Sequence, residues 1–184
     1  MSGPLHALKH EHRVIERVLR ALDGICARLV WEEQVPPDAL TSLVDFIAGY
    51  ADGFHHCKEE NYLFPALQRH NIQGQGGVLG LIEQEHEAER ALTDEMRRAI
   101  EGYKDVDPIA RHRFVEAAHR YSDLLLPHIE HEDNMLFRLA DELLGEEEIT
   151  FLNEGFERAV ADVGADRLES YEKTATELEE SWGI

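Results

Sequence analysis

The sequence predicts an all-α protein: an antiparallel up-down four-helix bundle with one or two extra helices at the C-terminal end. Two observations carry this. Apolar residues recur at three- and four-residue spacing through four long segments parted by proline- or glycine-marked breaks. No segment of convincing length alternates apolar and polar residues as a half-buried strand does. Four helical segments with short connections favour antiparallel neighbours.

The first stripe, Leu5, Leu8, Val14, Ile15, Val18, Leu19, Leu22 and Leu29, gives a helix over residues 5–30 that Pro36 and Pro37 end. Asp38 or Thr41 can open the second, over 39–69, which carries Leu43, Val44, Ile47, Ala51, Leu63 and Leu67 and stops before the glycine-rich NIQGQGG. A third helix spans 78–102. In the loop that follows, Asp107 caps and Pro108 takes the first position of a fourth helix over 108–144. Pro127 lies inside it and is expected to kink it just before His128. After Gly145 the chain turns acidic, and EEEITFLNEGFERAV and DRLESYEKTATELEESW read as further amphipathic helices packed outside the bundle or against a partner. The expected organisation is a bundle over 1–145 and an acidic helical extension over 146–184.

Charge narrows the function. The 184 residues include 38 acidic and 18 basic side chains, a formal net charge of −20. Such a surface repels phosphate backbones and anionic lipid, which argues against nucleic-acid and membrane partners. Two cysteines, Cys26 and Cys57, suit a reducing compartment, and no apolar run approaches the ~20 residues of a membrane span. A cytoplasmic protein is expected. The unusual count is histidine, 11 in all.

Those histidines fall in an internal repeat. HHCKEENYLF aligns without a gap on HIEHEDNMLF, placing His55 over His128 and Glu59 over Glu132 at an offset of 73 residues. KHEHRVIERVL aligns on EQEHEAERALT, placing His12 over His86 at an offset of 74. Positions i and i+4 share a helix face with Cβ atoms about 5–6 Å apart, so each His-x-x-x-Glu aims two donors the same way. His12 follows Leu5 and Leu8, and His86 follows Leu79 and Ile82, on apolar stripes. A lone inward histidine is ordinarily a satisfied core residue. Imidazoles and carboxylates facing a core from four helices at once are costly unless paired or metal-bound, and the twofold arrangement favours metal. This donor set suits iron, manganese or zinc over calcium or magnesium.

On HHCKEENYLFP and HIEHEDNMLF, with the EH of KHEHR and QEHEA in support, residues 5–144 resemble the hemerythrin-like family, the cation-binding domain with a His-His-Glu signature. The resemblance implies a bundle around a non-haem pair of iron ions, oxo- or hydroxo-bridged, with manganese or zinc as alternatives. It implies His12, His55, Glu59, His86, His128 and Glu132 as metal ligands, the two glutamates bridging. Oxygen-carrying members use five histidines, two of them in a His-x-x-x-His on the third helix; here the positions four from His86 are Ile82 and Arg90. Four histidines shared two and two would leave an open position on each metal for Glu16, Glu83 or water. The expectation is a protein that binds or reacts with O2, peroxide or nitric oxide, in oxidative or nitrosative stress or an iron-centre repair-like role, served by an electron donor. The alternative is a non-catalytic iron- or oxygen-sensing module whose C-terminal helices contact a protein partner.

Tyr62 and Tyr121 lie seven residues from His55 and His128, hence on the ligand faces, and are candidates to hydrogen-bond a bound oxygen species or serve as redox partners, with aromatic packing in the bundle the more ordinary role. Cys57 should point away from the metals, Lys58 and Glu60 should lie nearer solvent, and Leu63, Phe64 and Pro65 should seal the site. His56 reads as a hydrogen-bonding neighbour. A ferritin-like pairing of Glu83 and His86 with Glu116 and His119 is disfavoured: at about 100° per residue, His119 faces away from His128. A closed structural zinc site has little use for six ligands.

Overall fold

The computed structural model describes residues 3–74, 76–104 and 107–183, and among these the chain is all-helical, with no strand. The elements are α1 (Pro4–Val30), α2 (Pro37–Phe46), the π-helical segments π1 (Ile47–His56) and π2 (Glu59–Leu63), α3 (Phe64–Gln68), α4 (Val78–Lys104), α5 (Pro108–His131), π3 (Glu132–Leu136), α6 (Phe137–Leu143), α7 (Glu146–Val163) and α8 (Ala165–Trp182). Local chemistry sets the ends. Pro4 and Pro37 open α1 and α2, where no backbone N–H is needed. The Asp107 carboxylate accepts from Ile109 N–H at 2.9 Å and caps α5. Gly145 N–H donates to Glu148 at 3.1 Å as α7 starts, and Gly164, at φ +88°, turns the chain into α8.

One expectation is corrected. The runs 39–69 and 108–144 are not uniform α-helices: the first passes through π1 and π2, the second through π3. Residues of π2 and π3 are repeat counterparts, Glu59–Leu63 over Glu132–Leu136. A π turn closes i→i+5 bonds, so each residue advances less than the about 100° of an α-helix and the neighbouring side chains are re-aimed. α5 runs through Pro127 to His131, and a departure from α geometry follows at π3.

The apolar residues form two clusters. The larger includes Ile15, Leu22, Phe46, Phe114, Tyr121 and Ile129; the smaller includes Leu8, Leu63, Phe64, Ile82, Leu136 and Phe137. Along each of the four long helical runs, the buried histidines and glutamates gather where one cluster gives way to the other. A polar layer is thus enclosed between two apolar ones.

The C-terminal helices complete both. α7 packs on α1, π1 and π2, and α8 packs on α1 and α2. Leu152 and Phe156 of α7 join the smaller cluster, and Tyr171, Ala175 and Leu178 of α8 join the larger. Contact is close at Gly49 of π1, where a Cβ would lie 1.8 Å from the Tyr171 hydroxyl. No described helix is long and apolar enough to cross a membrane.

Candidate metal centre

The enclosed layer holds His12, His55, His56, Glu59, His86, His128 and Glu132, all buried. Their donor atoms make two groups that share Glu59. One is His56, Glu59, His86 and His128; the other is His12, His55, Glu59 and Glu132, and within each the donor atoms lie within 4.8 Å of one another. Glu59 Oε1 is 3.5 Å from His55 Nε2, and its Oε2 is 3.6 Å from His86 Nε2. Glu132 Oε2 is 3.2 Å from His12 Nε2 and 3.4 Å from His128 Nε2. Each carboxylate therefore stands between the groups.

Four of the five histidines are oriented by a carboxylate from another helix. His12 Nδ1–H donates to Asp133 at 2.9 Å, His55 to Glu11 at 2.9 Å, His86 to Glu60 at 2.8 Å and His128 to Glu85 at 2.9 Å. These bonds hold each Nδ1 and aim each Nε2 inward, the orientation that metal-ligating histidines require. They also obey the repeat: Glu11 and Glu85 correspond, as do Glu60 and Asp133. Cations close the outer layer, Lys58 on Glu11, Arg13 on Asp133, and Arg90 on Glu60 and Asp52. Phe137 stacks on His12 and Phe64 on His86, a further repeat-related pair that screens the layer from the smaller cluster's side.

Electrostatics show a cation-shaped deficit. Buried without a hydrogen-bond partner among the described residues are His12 Nε2, His55 Nε2, both nitrogens of His56 and both oxygens of Glu59, Glu89 and Glu132. Such atoms are costly to bury. Protons offset part of the deficit. Burial and the charge of Glu132 push the Glu59 carboxyl well above the usual range. Glu132 stays well below it, because His128 and His12 outweigh its burial. Burial, joined by neighbouring histidines, holds His55 and His56 neutral. Inward imidazole nitrogens and convergent carboxylate oxygens are what a divalent transition-metal cation takes as donors, so the residues fit a metal site.

All six expected donors meet here, but the sequence reading passed over His56. In a regular α-helix adjacent residues diverge by about 100°, whereas π1 ends at His56 and brings both members of the His-His doublet inward. The doublet was the available signal. Ile129, the repeat counterpart of His56, is buried in the larger cluster, so the repeat that singled out His55 also concealed its neighbour. Glu89 was missed as well: it is buried, with Oε2 3.5 Å from His56 Nε2. Glu16, one of the expected extra donors, is instead engaged by Arg13 at 3.0 Å.

Tyr62 is corrected. The π turns carry it out of phase with His55, and its ring packs on Phe151, Phe156 and Gly155 of α7. Tyr121 is buried in the larger cluster; burial, followed by the charges of Glu89 and Asp52, raises its hydroxyl well above the ordinary value. Lys58 is also corrected: it is 1% exposed, over the rings of Phe54 and Phe156, because α7 covers it. Cys57 is half-buried, with Sγ 3.2 Å from the Asn61 amide.

Fold and site together define an all-α protein with a paired histidine–carboxylate centre of metal-binding type. The chain belongs to the hemerythrin HHE cation-binding domain family, whose sequence pattern matches residues 3–140. It is similar to uncharacterised proteins of Mycobacterium bovis and of Mycobacterium tuberculosis, each 26% identical over 185 residues that cover 96% of this chain and 69% of the relative. No solved structure matches.

Proposed function

We propose that the chain is a di-iron protein that takes a small ligand, O2, nitric oxide or peroxide, at the His12–His55 half of its centre. The observation that carries this is the convergence of buried, partnerless donors in two groups sharing Glu59. In this reading His56, His86 and His128 hold one metal, His12 and His55 hold the other, and Glu59 and Glu132 span both. Iron bound there would supply a change of oxidation state and a position for an exogenous ligand.

The broken repeat sets where that ligand goes. In the second half, Ile129 stands where His56 stands in the first, and Ile15 where Glu89 stands, and both isoleucines are buried. Three histidines against two replace the even sharing expected from sequence, so one open position is proposed in place of two. The wall beside it is apolar, which disfavours guests that must keep their hydration. An antiparallel four-helix arrangement belongs to the same reading. The smaller cluster precedes the polar layer along α1 and α4 and follows it along the other two runs.

Elemental analysis after iron loading should find two irons per chain, and fewer in Glu59→Ala. Ile129→His should keep both irons while losing the optical change that azide or nitric oxide produces in the wild type. Wild-type protein that takes up no metal would sink the proposal.

A further inference from the structure

We infer that the buried Lys58–Glu11 ion pair is a positioning pair that makes the metal held by His12 and His55 easier to reduce than its neighbour. This rests on the two-metal reading above and deepens it.

The repeat supplies Glu11 behind His55 and Glu85 behind His128, at the same 2.9 Å. What lies beyond those carboxylates is not repeated. Glu11 is 7% exposed and bound by Lys58, itself 1% exposed. The Glu85 side chain is 35% exposed, and the repeat counterpart of Lys58 is His131, an exposed residue. A carboxylate behind an imidazole strengthens it as a donor. An ammonium bound to that carboxylate draws the charge back, and in a buried setting this attraction is little screened. Lys58 also precedes Glu59 in the chain, so its own positive charge stands close to the shared carboxylate. Both effects disfavour the more highly charged oxidised metal on the His55 side.

Phe54 and Phe156 keep the ammonium dry, with Lys58 Nζ 4.0 Å and 4.9 Å from their ring centres. The pair lines a cleft of about 680 Å3 between the first turns of α1 and the middle of α7. The bias is therefore imposed partly by α7, which carries none of the donors.

The test compares Lys58→Met, Glu11→Gln, the double variant and Lys58→Arg in iron-loaded protein, reading the midpoint potential and the affinity for the more weakly held metal. Lys58→Met should lower the potential and tighten that metal about tenfold, the lower end of measured outer-shell effects. Glu11→Gln should move both in the opposite direction, the double variant should fall near wild type, and Lys58→Arg should restore wild-type values. A purely structural role predicts that both single variants weaken metal binding alike, and that result overturns the inference. So does a two-iron Lys58→Met protein with unchanged potential, which leaves the two-metal reading standing. Wild-type chain without metal overturns both.

Discussion

Glu89 is the carboxylate the repeat does not supply twice, and it bears a charge problem of its own. Burial, with the carboxylates of Glu132, Glu85 and Asp52 adding to it against His128, pushes its carboxyl up to about 8 from the ordinary 4.5. The sign follows from linkage. Between those values the metal-free folded chain keeps the proton while the unfolded chain releases it, so stability falls as pH rises, by at most about 1.4 kcal/mol per pH unit. Glu89→Gln removes that slope. Urea midpoints of metal-free protein between pH 5 and pH 8 should fall in the wild type relative to the variant. Parallel curves would show that Glu89 ionises freely in the folded chain.

At the level of elements, the three π segments decide which side chains share the polar layer, and α8 holds the longest of them in place. Gly49 of π1 lies so close to the Tyr171 hydroxyl that a Cβ could fit only if the Tyr171 ring or one of the two helices shifted. Gly49→Ala should destabilise the protein by about 1–3 kcal/mol, the usual range for overpacking. Because π1 carries His55 and His56, metal uptake should fall with it. Tyr171→Leu in the same chain should recover much of the loss, a non-additivity that thermal melts of the two single variants and the pair will measure. Additive losses would mean that the contact at Gly49 does not govern π1.

Across the whole molecule, the polar layer is the weak plane between two apolar clusters, and bound cations would join what uncompensated carboxylates push apart. Metal that binds the folded chain alone stabilises it by mass action. Iron loading should therefore raise the melting temperature and slow proteolysis, and chelation should reverse both. If loss of metal lets π1 relax, α8 should feel it through Tyr171, so the earliest cleavages in metal-free protein should fall in α7 and α8. That pattern, with turnover of peroxide or nitric oxide no faster than free iron gives, would favour a sensing module over a reactive one. Metal-free protein as stable and protease-resistant as the loaded form would refute the linkage.

Legible in the residues alone were the helical runs nearly to the residue, the twofold repeat, and the inward faces of His12, His55, Glu59, His86, His128 and Glu132. These follow from local periodicity, since residues four apart on one helix share a face wherever that helix packs. The tertiary structure alone decided that His56 turns inward with His55, that Tyr62 turns out to α7, that Lys58 is buried and that Glu89 reaches His56. Each depends on the phase shift of a π turn or on cover from a helix distant in the chain. Non-local packing sets both, and a constant helical period carries no trace of it. The fifth histidine was visible as a letter in HHCKEENYLFP, but its direction belonged to the fold.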